Sequence, residues 1–359
     1  MPENADEQPG PDGVLPAMTA GLPEKQAEID ALRTKQAAIF ASTSSGRSLR
    51  SLPGFMRAKL RPLLNHTPAR WLAPLRKPVL WTFNQHPARP LRLPRAVPTP
   101  ANPPSIAMVT PAYNHAHFLA ATIDSILSQN YPRLAYIVKD AGSKDGTREV
   151  LAGYGSRLHW LAEPDTGQAN AINTGFRHVS GDIMGWLNSD DLLLPGSLNY
   201  VASFFNAHPE IDFVYGDRVI IDREGAEIGR AILPAHDASA LRHADYVPQE
   251  TMFWRRRVWE ALGGLDESFQ FAMDWDFILR AQAQGFRFQH LPRCLGAFRV
   301  YPQQKTHSWV DVGAQDQQRL REKWIGPTFT VNDVKAAIKP YLIRQTLCHY
   351  AYKIGVLRR

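Results

Sequence analysis

Two adjacent carboxylates, Asp190 and Asp191, lie just beyond a short apolar run near the middle of the 359-residue chain, separated from it by Asn188 and Ser189. The run, residues 183–187, has the length and composition of a buried strand. Two carboxylates at the end of such a strand repel each other and are costly to remove from water. A divalent cation, Mg²⁺ or Mn²⁺, would offset that cost. The alternative is that the pair only ends the strand and begins a turn, as Asp often does.

A second pair of carboxylates, Asp274 and Asp276, lies at the start of a predicted helix. A sugar hydroxyl is a weak nucleophile, and a carboxylate within hydrogen-bond reach can take its proton as a new C–O bond forms. Aspartate in a first helical turn also caps free N–H groups, so a structural role is the alternative. Capping is favoured for Asp276, whereas Asp274 is the predicted base and is expected to stay ionised at the helix N-terminus.

Histidines offer weaker candidates for metal binding. His307 follows the last predicted strand, and from there it could return to the metal or to a bound diphosphate. His115 and His117 are spaced two apart, but they lie just before a helix without a partner cluster nearby. Solvent or capping contacts are the favoured interpretation for these two histidines.

The elements that must position these residues alternate between strand and helix. Strands are predicted at residues 106–110, 135–138, 158–161 and 183–187, with helices at 118–128 and 168–178. This order predicts a parallel sheet with right-handed crossovers. Polar residues end each strand: Tyr113 and Asn114, Asp140 and Ser143, Asp165 and Gln168, and Asp190 and Asp191. Four such ends at one sheet edge predict a ligand site.

The sequence contains neither Gly-x-Gly-x-x-Gly nor Gly-x-x-x-x-Gly-Lys, the usual glycine motifs that cradle phosphates. The phosphates of a nucleotide bound at this edge would therefore need a metal. The carboxylate pair that follows the fourth strand can hold one.

Taken together, these motifs resemble the large bacterial family 2 of inverting glycosyltransferases, which has the GT-A fold. The matching stretches are Thr-Pro-Ala-Tyr-Asn at 110–114, Asp-Ala-Gly-Ser-Lys-Asp-Gly-Thr at 140–147, the acidic stretch 163–168, Asn-Ser-Asp-Asp at 188–191, and residues 248–254 and 263–267. They occur in the family's order and cover residues 105–310. The chain departs from the family pattern at Ala141, at Met273, where Glu is frequent, and at Tyr301, where His is common.

The resemblance implies a Rossmann-like, mostly parallel sheet flanked by helices. It also implies transfer of a sugar, with inversion, from a nucleoside-diphosphate sugar to a hydroxyl of a glycan or lipid-linked glycan in surface polysaccharide synthesis. The expected nucleotide-sugar-binding residues are Pro111, Tyr113, Asn114, Asp140, Asp165, Gln168 and Asp190. Asp191 is the expected Mg²⁺ or Mn²⁺ ligand, with His307 as a further candidate, and Asp274 is the expected catalytic base.

Four regions are predicted along the chain. Residues 1–40 are expected to be disordered or to form a short helix, and 41–104 to form a basic, proline-rich arm. Residues 105–310 are the predicted GT-A domain, divided at residue 196 into a nucleotide-sugar half and an acceptor half. Residues 311–359 are predicted to be a C-terminal extension of basic amphipathic helices, interrupted at Pro340.

Positive charge is concentrated in the arm: residues 41–100 contain eleven Lys or Arg and no Asp or Glu. Membrane or partner contact, packing on the body and nucleic-acid binding are the three interpretations, and nucleic acid is the least favoured. The chain lacks a predicted secretory signal or membrane span, and Cys294 and Cys348 form no disulfide pattern. We therefore expect a cytoplasmic protein at the inner face of the plasma membrane. The rival functional classes are a non-catalytic nucleotide-sugar-binding module and a nucleic-acid-binding protein.

Overall fold

A computed structural model describes Leu80 and residues 82–358, apart from the side chains of residues 307 and 308. The predicted segment 1–40 and the first part of the basic arm lie outside the described residues.

The first half of the described chain alternates strictly between strands and helices. Its elements are β1 (Ile106–Ala112), α1 (Ala116–Leu127), β2 (Leu134–Asp140), α2 (Thr147–Gly153), β3 (His159–Ala162), α3 (Gln168–His178) and β4 (Ile183–Trp186). The four strands pair in parallel in the order β3-β2-β1-β4. Every residue of β1 is buried because helices cover both faces of the sheet, which explains its uninterrupted apolar run. The predicted order of strands and helices is confirmed.

The second half extends the same sheet. Its elements are β5 (Leu192–Leu193), α4 (Ser197–Ala207), β6 (Phe213–Ile221), β7 (Glu227–Ala231), α5 (Ala238–His243), β8 (Phe253–Arg255), α6 (Arg256–Leu262), α7 (Met273–Ala283), β9 (Phe288–Arg299), α8 (Lys305–Ser308), α9 (Val310–Ile325) and α10 (Val331–Lys353). Strand order is β3-β2-β1-β4-β8-β6-β9-β5, with β7 on β6. Strands β1, β2, β3, β4, β6 and β9 run in one direction, so the sheet is mostly parallel, as predicted.

The C-terminal extension is helical, but α10 continues through Pro340. The predicted interruption at this proline is therefore wrong. A proline removes one backbone N–H donor from a helix, whereas Val334, Ile338 and Tyr341 on the same helix are buried. Packing of this apolar face holds the helix together across the proline.

Residues 82–104, the described part of the basic arm, pack along β7 and the adjoining strands. The backbone N–H of Gln85 donates to the Ile228 carbonyl at 2.9 Å, and the guanidinium of Arg89 contacts the Glu227 carboxylate at 2.5 Å. Glu227 also pairs with Arg230 at 2.7 Å and is fully buried. Packing on the body is thus what the structure shows for this part of the arm. No helix among the described residues has the length and apolar character needed to cross a membrane.

Replacing Glu227 by Gln should lower the free energy of unfolding by about 3 kcal/mol, because two guanidinium groups lose their buried carboxylate. Burial alone would raise the pKa of Glu227, but hydrogen bonds from Arg230 and Arg89 outweigh it and lower the pKa to about 2. Its stabilising contribution is therefore complete above pH about 4.5 and is lost as the pH falls towards 2. Urea denaturation at several pH values should show a flatter pH dependence for the variant.

Glu210→Gln is the control for this experiment, since the Glu210 side chain is 46% exposed. Equal stability of Glu227→Gln and Glu210→Gln would show that Glu227 does not anchor the arm.

Candidate active site

A cleft of about 1210 Å³ opens at the carboxyl ends of the parallel strands. Seven of the ten predicted site residues line it: Pro111, Tyr113, Asp165, Gln168, Asp190, Asp191 and Asp274. They come from the end of β1 and the residue after it, from the loop after β3 and the start of α3, from the loop after β4, and from the first turn of α7. Residues far apart in the chain therefore meet at one sheet edge, as the alternation of strands and helices requires.

Asp140 and Asn114 do not line the cleft, although their neighbours Ala141 and Tyr113 do, and that they bind the nucleoside stays a prediction. The Asp140 carboxylate is fully buried and accepts hydrogen bonds from the N–H groups of Gly142 and Ser143. Asn114 adopts a left-handed φ of +53°, and its side-chain oxygen accepts from the Lys144 N–H at 3.0 Å. Both side chains are engaged in shaping the loop beside the cleft. The side chain of His307 lies outside the described residues.

Asp165 and Gln168 form a polar wall of the cleft in the half that the sequence predicts to bind a nucleotide sugar. One oxygen of Asp165 accepts from the Gly167 N–H at 3.0 Å. The other lies 3.7 Å from the buried Lys139 ammonium and makes no hydrogen bond within the described part of the chain. The Gln168 side chain donates to Asn188 at 2.8 Å and accepts from Lys305 at 3.0 Å. The wall therefore contains one buried carboxylate oxygen that faces Lys139 and makes no hydrogen bond within the described residues.

The floor of the cleft concentrates negative charge around Asp191. Its carboxylate is almost fully buried and accepts the backbone N–H of Arg299 at 2.9 Å. Burial, followed by repulsion from Asp190 and Glu250, holds the pKa of Asp191 well above its ordinary value. Asp190 accepts a hydrogen bond from the hydroxyl of Tyr301 at 2.8 Å. Tyr301, which departs from the family pattern, thus occupies one oxygen of Asp190.

These donors fit a divalent cation. Carboxylate oxygens are the hard ligands that Mg²⁺ and Mn²⁺ prefer, and a cation would offset the repulsion that raises the pKa of Asp191. Within the described residues, no group of three or more His, Cys, Asp or Glu side chains is arranged to hold a metal. An ion on Asp191 would therefore take its remaining ligands from phosphate and water, which is usual for Mg²⁺.

Asp274 and Asp276 have different surroundings. Asp274 lines the cleft, and burial raises the pKa of its carboxyl group. Desolvation outweighs the backbone hydrogen bonds at the helix N-terminus, and the expectation that Asp274 stays ionised remains a prediction. Asp276 is fully buried away from the cleft and pairs with Arg280 at 2.6 Å and Lys323 at 3.2 Å. Its role is structural.

Four charged residues of the cleft were not identified as site residues from the sequence: Arg218, Asp245, Lys305 and Arg321. Burial and the proximity of Asp274 raise the pKa of Asp245 well above its ordinary value. The Lys305 ammonium donates to Gln168 and to the Gln270 carbonyl. Lys305 lies two positions before His307, a candidate metal ligand, and this proximity in the sequence is the signal that could have identified Lys305. Asp245 follows no motif, and its place became visible only in the folded chain.

A model of the family described as "Glycosyl transferase family 2" matches residues 107–303, more than half of the chain. The O-antigen biosynthesis protein RfbC of Myxococcus xanthus is 31% identical over 215 residues, which are 56% of this chain and 16% of that protein. An uncharacterized glycosyltransferase of Rickettsia typhi is 30% identical over 122 residues, which are 34% of this chain and 38% of that protein. The chain thus spans well under half the length of these relatives.

Among solved structures, the mannosyltransferase PcManGT from Pyrobaculum calidifontis, in complex with GDP-Man and Mn²⁺, superposes with a TM-score of 0.51. The two chains are 19% identical, and the alignment covers 91% of this chain and 88% of that one. At this identity the similarity shows a shared GT-A fold. Sheet topology, the order of the motifs and the family match agree, and the chain belongs to glycosyl transferase family 2.

Proposed function

We propose that this chain is a metal-dependent, inverting glycosyltransferase that moves a sugar from a nucleoside-diphosphate sugar to a hydroxyl of a glycan or lipid-linked glycan. The observation that carries the proposal is that Asp274 shares one cleft with the carboxylate pair Asp190 and Asp191. The GDP-Man and Mn²⁺ in the Pyrobaculum complex support a nucleotide-sugar donor and a divalent metal. The name of the Myxococcus relative supports a role in surface polysaccharide synthesis.

The donor would lie against the nucleotide half of the cleft. The Asp165 oxygen that makes no hydrogen bond would accept an N–H group of the base, and the exposed ring of Tyr113 would offer the base a stacking surface. Asp190 would hold the ribose or the transferred sugar. Asp191 would bind Mg²⁺ or Mn²⁺, which neutralises charge on the leaving diphosphate when bound.

On the acceptor side, Asp274 would accept the proton of the attacking hydroxyl. That oxygen forms a bond to the anomeric carbon while the bond from this carbon to the diphosphate breaks, and a single displacement inverts the centre. The raised pKa of Asp274 makes it a stronger base than an exposed Asp once it is deprotonated. Repulsion between Asp245 and Asp274 contributes to the raised pKa of Asp245, so the two carboxyl groups titrate as an interacting pair.

Asp274→Asn should retain donor binding and lose turnover by at least ~10²-fold, because the hydroxyl loses its proton acceptor. In the wild type, kcat/KM should rise with pH through a pKa above the ordinary value of 3.8, since only the ionised carboxyl group accepts the proton. Turnover across pH and donor affinity by calorimetry would check both expectations.

Asp276→Asn is the matched control, two positions away on α7 and outside the cleft. It should lower stability, while turnover per folded molecule stays near wild type. The base is misassigned if Asp276→Asn abolishes turnover and Asp274→Asn does not.

Asp191→Ala should abolish the Mn²⁺-dependent part of nucleoside-diphosphate binding, because the buried ligand for the cation is removed. Calorimetric titrations with and without Mn²⁺ measure this part directly. Glu210→Ala removes an exposed carboxylate and should change nothing. Unchanged metal-dependent binding in Asp191→Ala would exclude Asp191 as the ligand.

We also propose that the protein is cytoplasmic and bound peripherally to the inner face of the membrane. Residues 41–79 contain eight Lys or Arg and no acidic residue, interleaved with Leu, Phe and Trp. Each basic residue near an anionic surface contributes about 1 kcal/mol. Of the three remaining basic residues of the arm, Arg89 is already paired with Glu227. Residues 41–79 are therefore the part of the arm proposed to contact lipid.

Replacing Arg47, Arg50, Arg57, Lys59 and Arg61 together by Gln should prevent the protein from pelleting with anionic vesicles, because most of the charge of this segment is lost. The wild type should pellet at low salt and be released by high salt. Co-sedimentation with vesicles containing phosphatidylserine, against vesicles of phosphatidylcholine alone, measures the effect. Equal pelleting of the variant and the wild type would contradict the membrane proposal.

A further inference from the structure

Arg321, on α9, is a buried cation at the cleft without a carboxylate partner. The residue is 8% exposed and lines the cleft. Its Nε donates to the His243 carbonyl at 2.9 Å, and one terminal nitrogen reaches the Gln317 side-chain oxygen at 3.4 Å. Within the described part of the chain, no Asp or Glu lies within ion-pair distance of its guanidinium. Both hydrogen-bond acceptors of Arg321 are therefore neutral, and the bond to Gln317 is long.

Such an arrangement is costly, since a guanidinium removed from water needs a compensating negative charge. Burial lowers the pKa of Arg321 to about 10, so the side chain still carries its charge at neutral pH. Two other arginines are compensated by a direct carboxylate partner, since Arg218 pairs with Glu250 at 2.5 Å and Arg230 with Glu227 at 2.7 Å. The buried guanidinium of Arg299 donates to backbone carbonyls, but the charges of Asp190 and Asp191 lie near it. Arg321 is thus prepared for an anion that the described chain does not supply.

The position of Arg321 indicates which ligand would bring this anion. Residues at four-residue spacing along α8 and α9 line the cleft: Lys305, Trp309, Gly313, Gln317 and Arg321. At one end of this face, Lys305 contacts Gln168 on the nucleotide side. At the other end, the Arg321 guanidinium lies 5.3 Å from the ring centre of Trp275, the residue after Asp274. The face therefore leads from the donor side to the acceptor half.

Between the two cations, Trp309 exposes 43% of its surface. An exposed indole is a stacking platform for a sugar ring, and the helical rise places Arg321 about 18 Å further along the helix axis. An acceptor lying on this face would place its sugar on the aromatic ring and reach the guanidinium with a group beyond it.

We propose that Arg321 binds an anionic group, a phosphate or a carboxylate, on the acceptor. The proposal rests on the proposed function and narrows its acceptor to a charged glycan or a phosphate-linked one. The guanidinium fork matches the oxygens of both groups in a bidentate arrangement. The donor diphosphate is the competing occupant, and the experiment below separates the two.

The test uses the full chain with UDP or GDP and Mn²⁺ present at saturation, so that the donor subsite is filled. Glucose 6-phosphate, glucuronate and methyl glucoside are then titrated while the Nε–H resonance of Arg321 is followed by NMR, assigned as the signal that Arg321→Lys lacks. The two charged sugars should shift this resonance and the neutral sugar should not. In Arg321→Gln, their affinity measured by calorimetry should fall at least about tenfold.

Arg242→Gln is the matched control, because it removes the same charge from an exposed residue beside His243. Its affinity for the charged sugars should equal that of the wild type. Should Arg321→Gln not fold, Arg321→Lys keeps the charge without the fork and should still bind the charged sugars more weakly than the wild type. Tighter binding of glucose 6-phosphate or of glucuronate tells which anion the acceptor carries.

The proposal would be overturned if Arg321→Gln bound the charged sugars with wild-type affinity. It would also be overturned if Arg242→Gln lost as much of this affinity as Arg321→Gln, or if methyl glucoside bound as tightly as the charged sugars. Loss of the charged-sugar shift once the nucleoside diphosphate is bound would overturn it as well, since Arg321 would then serve the donor. Failure of both nucleotides to bind would instead count against the proposed function, and the anion titration would still test Arg321 by itself.

Discussion

The repulsion among buried carboxylates at the end of β4 is the constraint on which the site depends. Asp191, Asp190 and Glu250 are all at least nine-tenths buried. Arg218 neutralises Glu250, and the side chain and backbone of Arg299 contact the Asp190 carbonyl and the Asp191 carboxylate. Because Arg299 ends β9, the antiparallel pairing of β9 with β5, which begins directly after Asp191, brings it beside these carboxylates. The second half of the described chain therefore completes the floor that the first half begins.

The two halves are also joined across the mouth of the cleft. Lys305 follows β9 and donates to Gln168, which in turn donates to Asn188 in the loop that carries the carboxylate pair. Hydrogen bonds thus run from the C-terminal helices to both nucleotide-side loops. This chain of contacts fixes the helical face of α8 and α9 as one wall of the cleft, opposite the loops that would hold the donor.

Charge is distributed unevenly along that cleft. Carboxyl groups occupy the floor and the position of the proposed base, where burial raises the pKa of Asp191, Asp245 and Asp274. The cations Lys305 and Arg321 lie at opposite ends of the helical wall. A ligand that brings a cation to the floor and anionic groups to the helical wall would compensate the negative charge of the floor and the positive charge of the wall. A metal-bound nucleoside-diphosphate sugar and a charged acceptor are ligands of this kind.

The sequence by itself determined the alternation of β1 to β4 with helices. A short apolar run that ends in polar residues indicates a buried strand from the local sequence alone. It also singled out Asp190, Asp191 and Asp274, because polar strand ends were expected to meet at one edge of the sheet and a carboxylate can take the proton of a hydroxyl. Tertiary structure alone decided that Asp140 supports a loop and does not line the cleft. It also decided that Lys305 meets Gln168, 137 positions away. Periodicity records which side of an element is buried, whereas partners across a cleft are set by the packing of distant elements, which no local pattern encodes.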